Sequence, residues 1–480
     1  MSELKIVPKK KHSISPYLYM QFMEPLGTAD ASVDTAWDFV ENAWYPEVME
    51  KIRYLAPSMV RFGGCFASYY HWKEAVGPYS ERVPMVNYCW GGIYHNLVGT
   101  HELIDFCRQV NADPLIVVNM ESDGNMPWAY PKNGTVRFGT AEEAAEWVAY
   151  CNDPDHALRR KNGAEAPFGV KYWQIGNETS YIPHQYGSDK AVEVTKRFVS
   201  KMREADPSIT LIGWGDRGKE DDTWCRKMSA VDGIEMVAFH HHFGSGLPDS
   251  PLVGTDYRRD PALTWEHLMY AHNSLQAHID QMRADCGNKR LALTEGHYIL
   301  KGRNRNEVLS SWGAGVSYAR CLNVIMRNSD ILDVATMADF FGNVWQVNAV
   351  MIPAPFRYGK AYLQPVGAVM RLFRLYQGQY ALDITGGDHL DTVASMTGDT
   401  VYVHAANIDR TASETFTLDL GGREIESIEM SYIAEDPTTE ITQVNGEVFD
   451  PVTVELNKNA PITLPPASVA GIAIRLVPER

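Results

Sequence analysis

A chain of 480 residues exceeds what one compact core holds, so two domains are expected. Its 45% hydrophobic and 22% charged content is ordinary for a globular protein, and no apolar run is long enough to span a bilayer. A formal net charge of -16 argues against nucleic acid or an anionic membrane as partner and suits a neutral or weakly charged ligand.

The stretch Met1 to His12 has basic residues but no apolar segment after them, so it is not read as a secretory signal. Cys65, Cys89, Cys107, Cys151, Cys225, Cys286 and Cys321 are scattered without CxxC spacing. They read as reduced thiols of a cytoplasmic protein, not as a disulfide frame. The alternating Leu4–Val7 run comes too early for a first barrel strand and is assigned to the C-terminal β-domain.

Short apolar runs then alternate with amphipathic segments as far as about Leu375. The expected buried strands are Tyr17–Phe22, Met59–Phe62, Pro114–Asn119, Val170–Gly176, Ile209–Gly213, Met236–His240, Leu291–Glu295 and Val334–Asp339. Helices are expected at Thr100–Val110 and at Thr140–Tyr150, where Thr140 and Glu143 have capping-box spacing. Val194, Phe198 and Met202 share one face of another helix, and Asn306–Arg327 is a long further candidate. Eight strand–helix alternations indicate an α/β chain folded as a (β/α)8 TIM barrel. A doubly wound sheet is the alternative, but no GxGxxG turn follows the first strand. From about Leu382 onward short alternating runs are punctuated by glycine and asparagine turns: Thr400–Ala405, Phe416–Leu420, Ser427–Ile433, Val452–Leu456 and Val469–Leu476. These predict an all-β sandwich. The expected limits are residues 15–375 for the barrel and 376–480, with 1–14, for the sandwich.

Function in such barrels sits at the C-terminal ends of the strands. Here those ends deliver Glu24, Arg61 to Cys65, Asn119, Asn177-Glu178, Asp216, His240-His241-His242, Glu295 and, just past the last strand, Asn343 to Gln346. Two carboxylates ending the fourth and seventh strands point to a retaining glycoside hydrolase. Glu178 is the expected general acid/base and Glu295 the expected nucleophile. Asn177 is expected to hold the sugar 2-hydroxyl. Either glutamate alone could merely cap a helix; the pair argues against that.

Three consecutive histidines cannot all face one ion, because side chains alternate along a strand. His240 and His242 share a face, but no third metal ligand is evident from the sequence. A sugar contact, or a bond orienting Glu295, is preferred for them, and neither metal nor cofactor is expected. Arg61 is open between a rim ion-pair partner and a ligand contact. Cys65 lies where a nucleophile could sit, yet no His-Asn pair accompanies it. Trp72, Trp90, Trp128 and Trp214 lie near strand-end loops, where rings can stack on sugars.

These residues resemble glycoside hydrolase family 51, the α-L-arabinofuranosidases. The likeness is carried by Ser15-Pro-Tyr-Leu-Tyr-Met-Gln-Phe-Met-Glu-Pro-Leu-Gly, Val60-Arg-Phe-Gly-Gly-Cys-Phe, Tyr70-His-Trp-Lys-Glu-Ala-Val-Gly-Pro, Met85-Val-Asn-Tyr-Cys-Trp-Gly-Gly, Lys171-Tyr-Trp-Gln-Ile-Gly-Asn-Glu and Asn343-Val-Trp-Gln-Val-Asn-Ala-Val-Met-Ile-Pro. The resemblance implies a retaining barrel enzyme with a β-sandwich and a homo-oligomeric, frequently hexameric, assembly. It implies Glu178 as acid/base and Glu295 as nucleophile. Glu24, Asn177 and Gln346 would bind the furanose, and His240 would lie beside the nucleophile. Four positions depart from the pattern. Thr294-Glu295-Gly296 replaces Asp-Glu-Trp, and Thr179-Ser-Tyr follows the acid/base. His242 stands in place of a tyrosine, and Cys65 in place of an asparagine. All four fall around the expected substrate. The Glu121–Asn133 loop is long enough to reshape the pocket.

The expected activity is release of terminal α-L-arabinofuranosyl residues from oligosaccharides. Alternatives are a related retaining hydrolase for galactofuranose, xylose or a β-glucan, and a non-catalytic sugar-binding protein.

Overall fold

The computed structural model describes residues 2–124, 126–130, 136–182, 185–218, 221–353 and 359–478. Eight parallel strands run in chain order around one sheet: Gln21–Met23, Met59–Phe62, Asp113–Val118, Tyr172–Ile175, Thr210–Trp214, Met236–Phe243, Arg290–Tyr298 and Leu332–Ala335. The sheet closes on itself. Tyr17 bridges Val334 in parallel, Met20 N donates to Ala335 O at 2.9 Å, and Ala335 N donates to Tyr17 O at 3.0 Å. This is the (β/α)8 barrel that the alternation predicts.

Local signals place the helices between these strands. Thr140 caps Ala141–Asn152, its hydroxyl accepting from Glu143 N at 3.1 Å. Glu102 turns back to accept from Gly99 N at 2.9 Å and starts Thr100–Val110. Val194, Phe198 and Met202 are all buried on the inner face of Ser188–Ala205. The long candidate from Asn306 divides into a 3-10 turn at Glu307–Ser310 and a helix at Trp312–Arg327. The break at Ser311 has a physical cause. Trp312 N and Gly313 N donate to Thr439 O and Pro437 O, so a loop of the β-domain supplies the helix with its first acceptors.

Two expected strands are displaced. The first is Gln21–Met23, because residues 17–20 serve as the closing seam of the barrel. The last ends at Ala335, and Asp339–Gly342 belongs to a separate three-stranded sheet with Asn348–Met351 and Tyr362–Leu363.

The C-terminal region forms a nine-stranded sheet arrangement around its own core of Leu4, Ile6, Val401, Val403, Phe416, Ile472 and Ile474. Ser2–Val7 pairs antiparallel with Tyr380–Thr385 and parallel with Glu414–Asp419. The two cores are pinned together at Asp391. Its carboxylate accepts from Arg320 Nε at 3.0 Å, Asn323 Nδ2 at 3.1 Å and Arg327 Nη1 at 2.9 Å, all on the helix Trp312–Arg327.

Candidate active site

Arg61, next to last in the second barrel strand, has no exposed surface. Its Nε donates to Gln174 Oε1 at 3.0 Å, Nη1 to Glu295 Oε1 at 2.9 Å, and Nη2 to Asn177 Oδ1 at 2.6 Å. A planar guanidinium thus fixes side chains from the fourth and seventh strands at once. This favours the ion-pair reading of Arg61 over the ligand contact: each of its nitrogens has a partner inside the protein, and Arg61 does not line the cavity.

Past Ile175 the chain turns sharply, and Glu178 adopts φ 52, ψ 28. That left-handed backbone costs a non-glycine residue about 1–3 kcal/mol, and such strain gathers at functional positions. Glu178 is buried, with its side chain aimed at His240: Oε1 lies 3.0 Å from His240 Nδ1. Cys65 Sγ approaches the other oxygen at 3.5 Å.

A strand irregularity places the second carboxylate. Between Met236–Phe243 and Arg290–Tyr298 the register slips: Phe239 pairs with Leu293, but His240 pairs with Glu295. Thr294 is the extra residue, and this bulge sets Glu295 directly beside His240. The same His240 Nδ1 lies 3.5 Å from Glu295 Oε2. Its Nε2 is 3.1 Å from Thr294 Oγ1, and its ring stands edge-on to Trp214 with centroids 4.5 Å apart. One imidazole nitrogen therefore separates the two glutamates. Glu178 Oε1 and Glu295 Oε2 can lie no further apart than those two contacts laid end to end. That limit falls at the short edge of the roughly 6.5–9.5 Å of inverting pairs and admits the roughly 5–5.5 Å of retaining pairs.

Gly296 follows the bulge because a Cβ there would meet Thr336 O at 2.5 Å. The tryptophan implied at this position by the resemblance has no room on this backbone. Gly64 (φ +138) plays the same part for Glu24. A Cβ would lie 2.2 Å from the Glu24 carboxylate, which instead accepts from Phe66 N at 3.0 Å and Trp90 Nε1 at 2.8 Å.

The electrostatics separate these acids. Burial alone would push Glu295 up, but His240, His242 and Arg61 outweigh it and hold Glu295 well below the usual carboxylate range. Burial and the charge of Glu295 push Glu24 the other way, well above that range. Asp339 is pushed up strongly too, by burial and then by Glu295, Asp30 and Glu24. The result is one ionised carboxylate with two acids near it, Glu24 and Asp339, that favour their neutral form.

A cavity of about 380 Å³ opens over this centre. Glu24, Cys65, Glu178, His242 and Glu295 line it, with Trp90, Trp128 and Trp345 as aromatic walls. Trp90 and Trp345 meet edge to face at 5.4 Å. His242 Nε2 lies 3.6 Å from Glu295 Oε2, an ion-pair distance rather than a hydrogen bond. Asn177 Nδ2, buried, has no partner and is free to donate. Of the Glu121–Asn133 loop, residues 125 and 131–133 lie outside the described residues; Trp128 is the part of it that reaches the cavity.

Other expected contacts fall elsewhere. Gln346 is not on the cavity wall. Its Oε1 accepts from Gln364 Nε2 at 2.8 Å and its Nε2 donates to Val344 O at 3.2 Å. Trp72 is core, stacked on Trp147, and Trp214 is wholly buried beneath His240. His241 faces away from the cavity towards His278, as strand alternation requires. His297 and Asn304 also line the cavity and escaped the sequence reading; Tyr181, Asp339 and Trp345 line it too, in stretches that the sequence marked without giving those residues a contact. For His297 a signal existed: it lies two residues past Glu295 on one strand, hence on the same face.

Residues 51–246 match the family model described as "Alpha-L-arabinofuranosidase 1 domain", and residues 298–468 match "Alpha-L-arabinofuranosidase C-terminal domain". α-L-Arabinofuranosidase C of Emericella nidulans is 32% identical over 226 residues, which is 45% of this chain and 42% of that protein. The chain thus spans less than half of that fungal relative. The intracellular exo-α-L-arabinofuranosidase of Bacteroides ovatus is 24% identical over 457 residues, covering 87% of this chain and 82% of that protein. The crystal structure of the GH51 arabinofuranosidase from Xanthomonas axonopodis pv. citri superposes with a TM-score of 0.80 at 21% identity, over 99% of this chain and 100% of that one. At that identity the superposition establishes the fold. Barrel, sandwich and family models together place the chain among the glycoside hydrolases. It belongs to the α-L-arabinofuranosidase family that these two models describe.

Proposed function

We propose that the chain is a retaining, exo-acting α-L-arabinofuranosidase that works on oligosaccharides in the cytoplasm. The observation that carries this reading is the shared His240 nitrogen, 3.0 Å from Glu178 and 3.5 Å from Glu295. In the reaction Glu295, kept ionised, attacks the anomeric carbon while Glu178 gives its proton to the leaving oxygen. Water, deprotonated by Glu178, then releases the sugar from Glu295 with net retention. Glu24 and Asn177 are the proposed partners of the sugar hydroxyls, with Cys65 and His242 completing the wall. Gln346, bonded to Gln364 and Val344 and off the cavity wall, is not among the proposed sugar contacts.

Exo action is favoured by the small cavity, which suits a single terminal ring held against Trp90 and Trp345 better than the middle of a polymer. The names of the Bacteroides ovatus relative and of one from Acetivibrio thermocellus, both intracellular exo-acting arabinofuranosidases, favour the same reading and the cytoplasmic placement.

The test is Glu295→Ala with an aryl α-L-arabinofuranoside. Turnover should vanish, and azide should restore release as the glycosyl azide. Wild-type turnover in that variant would overturn the mechanism. Faster wild-type release from an aryl galactofuranoside, xyloside or glucoside would leave the mechanism and change the sugar.

A further inference from the structure

We infer that His240 Nδ1, His242 Nε2 and Glu295 Oε2 form a binding site for a divalent transition-metal ion of the zinc type, which reversibly blocks the active centre. One ligand atom from each of these residues lies within 4.8 Å of the other two. Two edges of that triangle measure 3.5 Å and 3.6 Å. A tetrahedral zinc ion with bonds of about 2.0 Å sets neighbouring ligand atoms about 3.3 Å apart. Two edges therefore need to close by only a few tenths of an ångström. Closing the third requires rotation of the His242 ring, whose side chain is 25% exposed.

The donor chemistry fits. Two imidazole nitrogens and one carboxylate select zinc, copper, nickel or cobalt over magnesium or calcium. His242 Nε2 is inside the site and has no hydrogen-bond partner, so coordination there replaces only its 3.6 Å ion-pair contact with Glu295. His240 is oriented from behind. With its Nε2–H donated to Thr294 Oγ1 at 3.1 Å, the Nδ1 lone pair faces the ion, the arrangement by which a neighbouring hydroxyl supports a ligating histidine. The register slip that inserts Thr294 is what brings Glu295 level with His240, and so makes the triangle. His242 and Glu295 both line the cavity, leaving the ion's fourth position open to it. The contact that must yield is the one between His240 Nδ1 and Glu178 Oε1.

An ion here occupies the oxygen of Glu295 that would otherwise attack, and fills the floor of the cavity. Binding and sugar are mutually exclusive. The inhibitory consequence rests on the proposed glycosidase reading; the binding itself does not.

Titrating Co2+ alone into the full chain, followed by visible absorption, tests the site. The expected result is one Co2+ per chain with the intense bands of four-coordinate cobalt, displaced by Zn2+. His242→Gln and Glu295→Ala, each shown folded by circular dichroism, should bind at least tenfold more weakly. In the wild type Zn2+ should raise KM for the aryl arabinofuranoside with little change in kcat, and chelation should reverse it. Absence of a four-coordinate cobalt spectrum in the wild type, or equal binding by wild type and His242→Gln, overturns the proposal. A chain that binds cobalt but hydrolyses no glycoside keeps the site and sinks the enzymatic reading, so the two failures are distinct.

Discussion

Arg61 and Glu295 form a 2.9 Å ion pair across the barrel interior between side chains 234 positions apart. The pair is costly to desolvate, and its geometry offsets that cost only because the guanidinium also satisfies Gln174 and Asn177. Arg61→Ala would leave Glu295 with only its longer contacts to His240 and His242, and would strip the side-chain oxygens of Gln174 and Asn177 of their donor. Thermal denaturation should show a loss of about 3–5 kcal/mol, the usual penalty for breaking a buried pair on one side. Arg61→Lys should recover only part of it, because an ammonium cannot hold three acceptors in one plane. A wild-type Tm for Arg61→Ala would show that the network adds nothing to stability.

What the sequence revealed and what it hid divide along physical lines. Met59–Phe62 and Thr100–Val110 are placed as read, because β-branched or amphipathic patterning and local start signals act within a few residues. Glu178 and Glu295 were legible because a buried strand has little other reason to end in a carboxylate. The role of Arg61 was not legible, since its partners are 113 to 234 positions away and meet it only after the barrel closes. Asp339 ended an expected strand but had no assigned role, because only the folded chain puts it near Glu24, Asp30 and Glu295. The surroundings of Gln346 were hidden for the same reason: the resemblance gives its position along the chain, not its bond to the Gln364 amide.

Glu178 should act on the leaving group more than on the bound sugar. Glu178→Ala is expected to slow aryl arabinofuranosides with poor leaving groups by 100-fold or more, the range usual for loss of a positioned acid. Substrates with strongly acidic phenols need no proton and should form the glycosyl-enzyme nearly as fast as in the wild type. Added azide should then accelerate only the second step. Pre-steady-state phenol release across a leaving-group series decides the matter: equal slowing of all substrates would remove Glu178 from the acid role.

Two buried histidines make the protein acid-sensitive. Burial first, then neighbouring histidines, hold His241 and His297 down to about 3. An unfolded histidine titrates near 6.5. Between those values the unfolded chain binds more protons than the folded one, so stability falls as pH falls. Each histidine contributes about 1.4 kcal/mol per pH unit below about 6.5. Tm measured from pH 7.5 down to 4.5 should therefore drop, and His241→Gln or His297→Gln should each flatten that slope. An acid limb unchanged in both variants would assign it to other groups.

Asp339 should behave as a neutral acid that donates a hydrogen bond. Its Oδ1 is buried without a hydrogen-bond partner, and the nearest basic group is His297 Nε2 at 3.4 Å. With His297 Nδ1–H donated to Tyr298 O at 2.7 Å, that Nε2 is an acceptor and not a cation, so nothing there pays for a charged Asp339. A carboxyl raised in the folded state loses stability as pH rises, because the unfolded chain, titrating near 3.9, gives up its proton first. Asp339→Asn keeps the shape and a donor but cannot ionise. Its Tm should therefore exceed the wild-type value by a margin that grows from pH 5 to pH 8. Turnover should stay within several-fold, since the amide donates to a substrate hydroxyl where the acid did. Asp339→Ala, lacking any donor, should raise KM for the arabinofuranoside at least tenfold while changing kcat less. An Asn variant that is less stable than the wild type at pH 8 would mean that Asp339 is ionised in the folded chain.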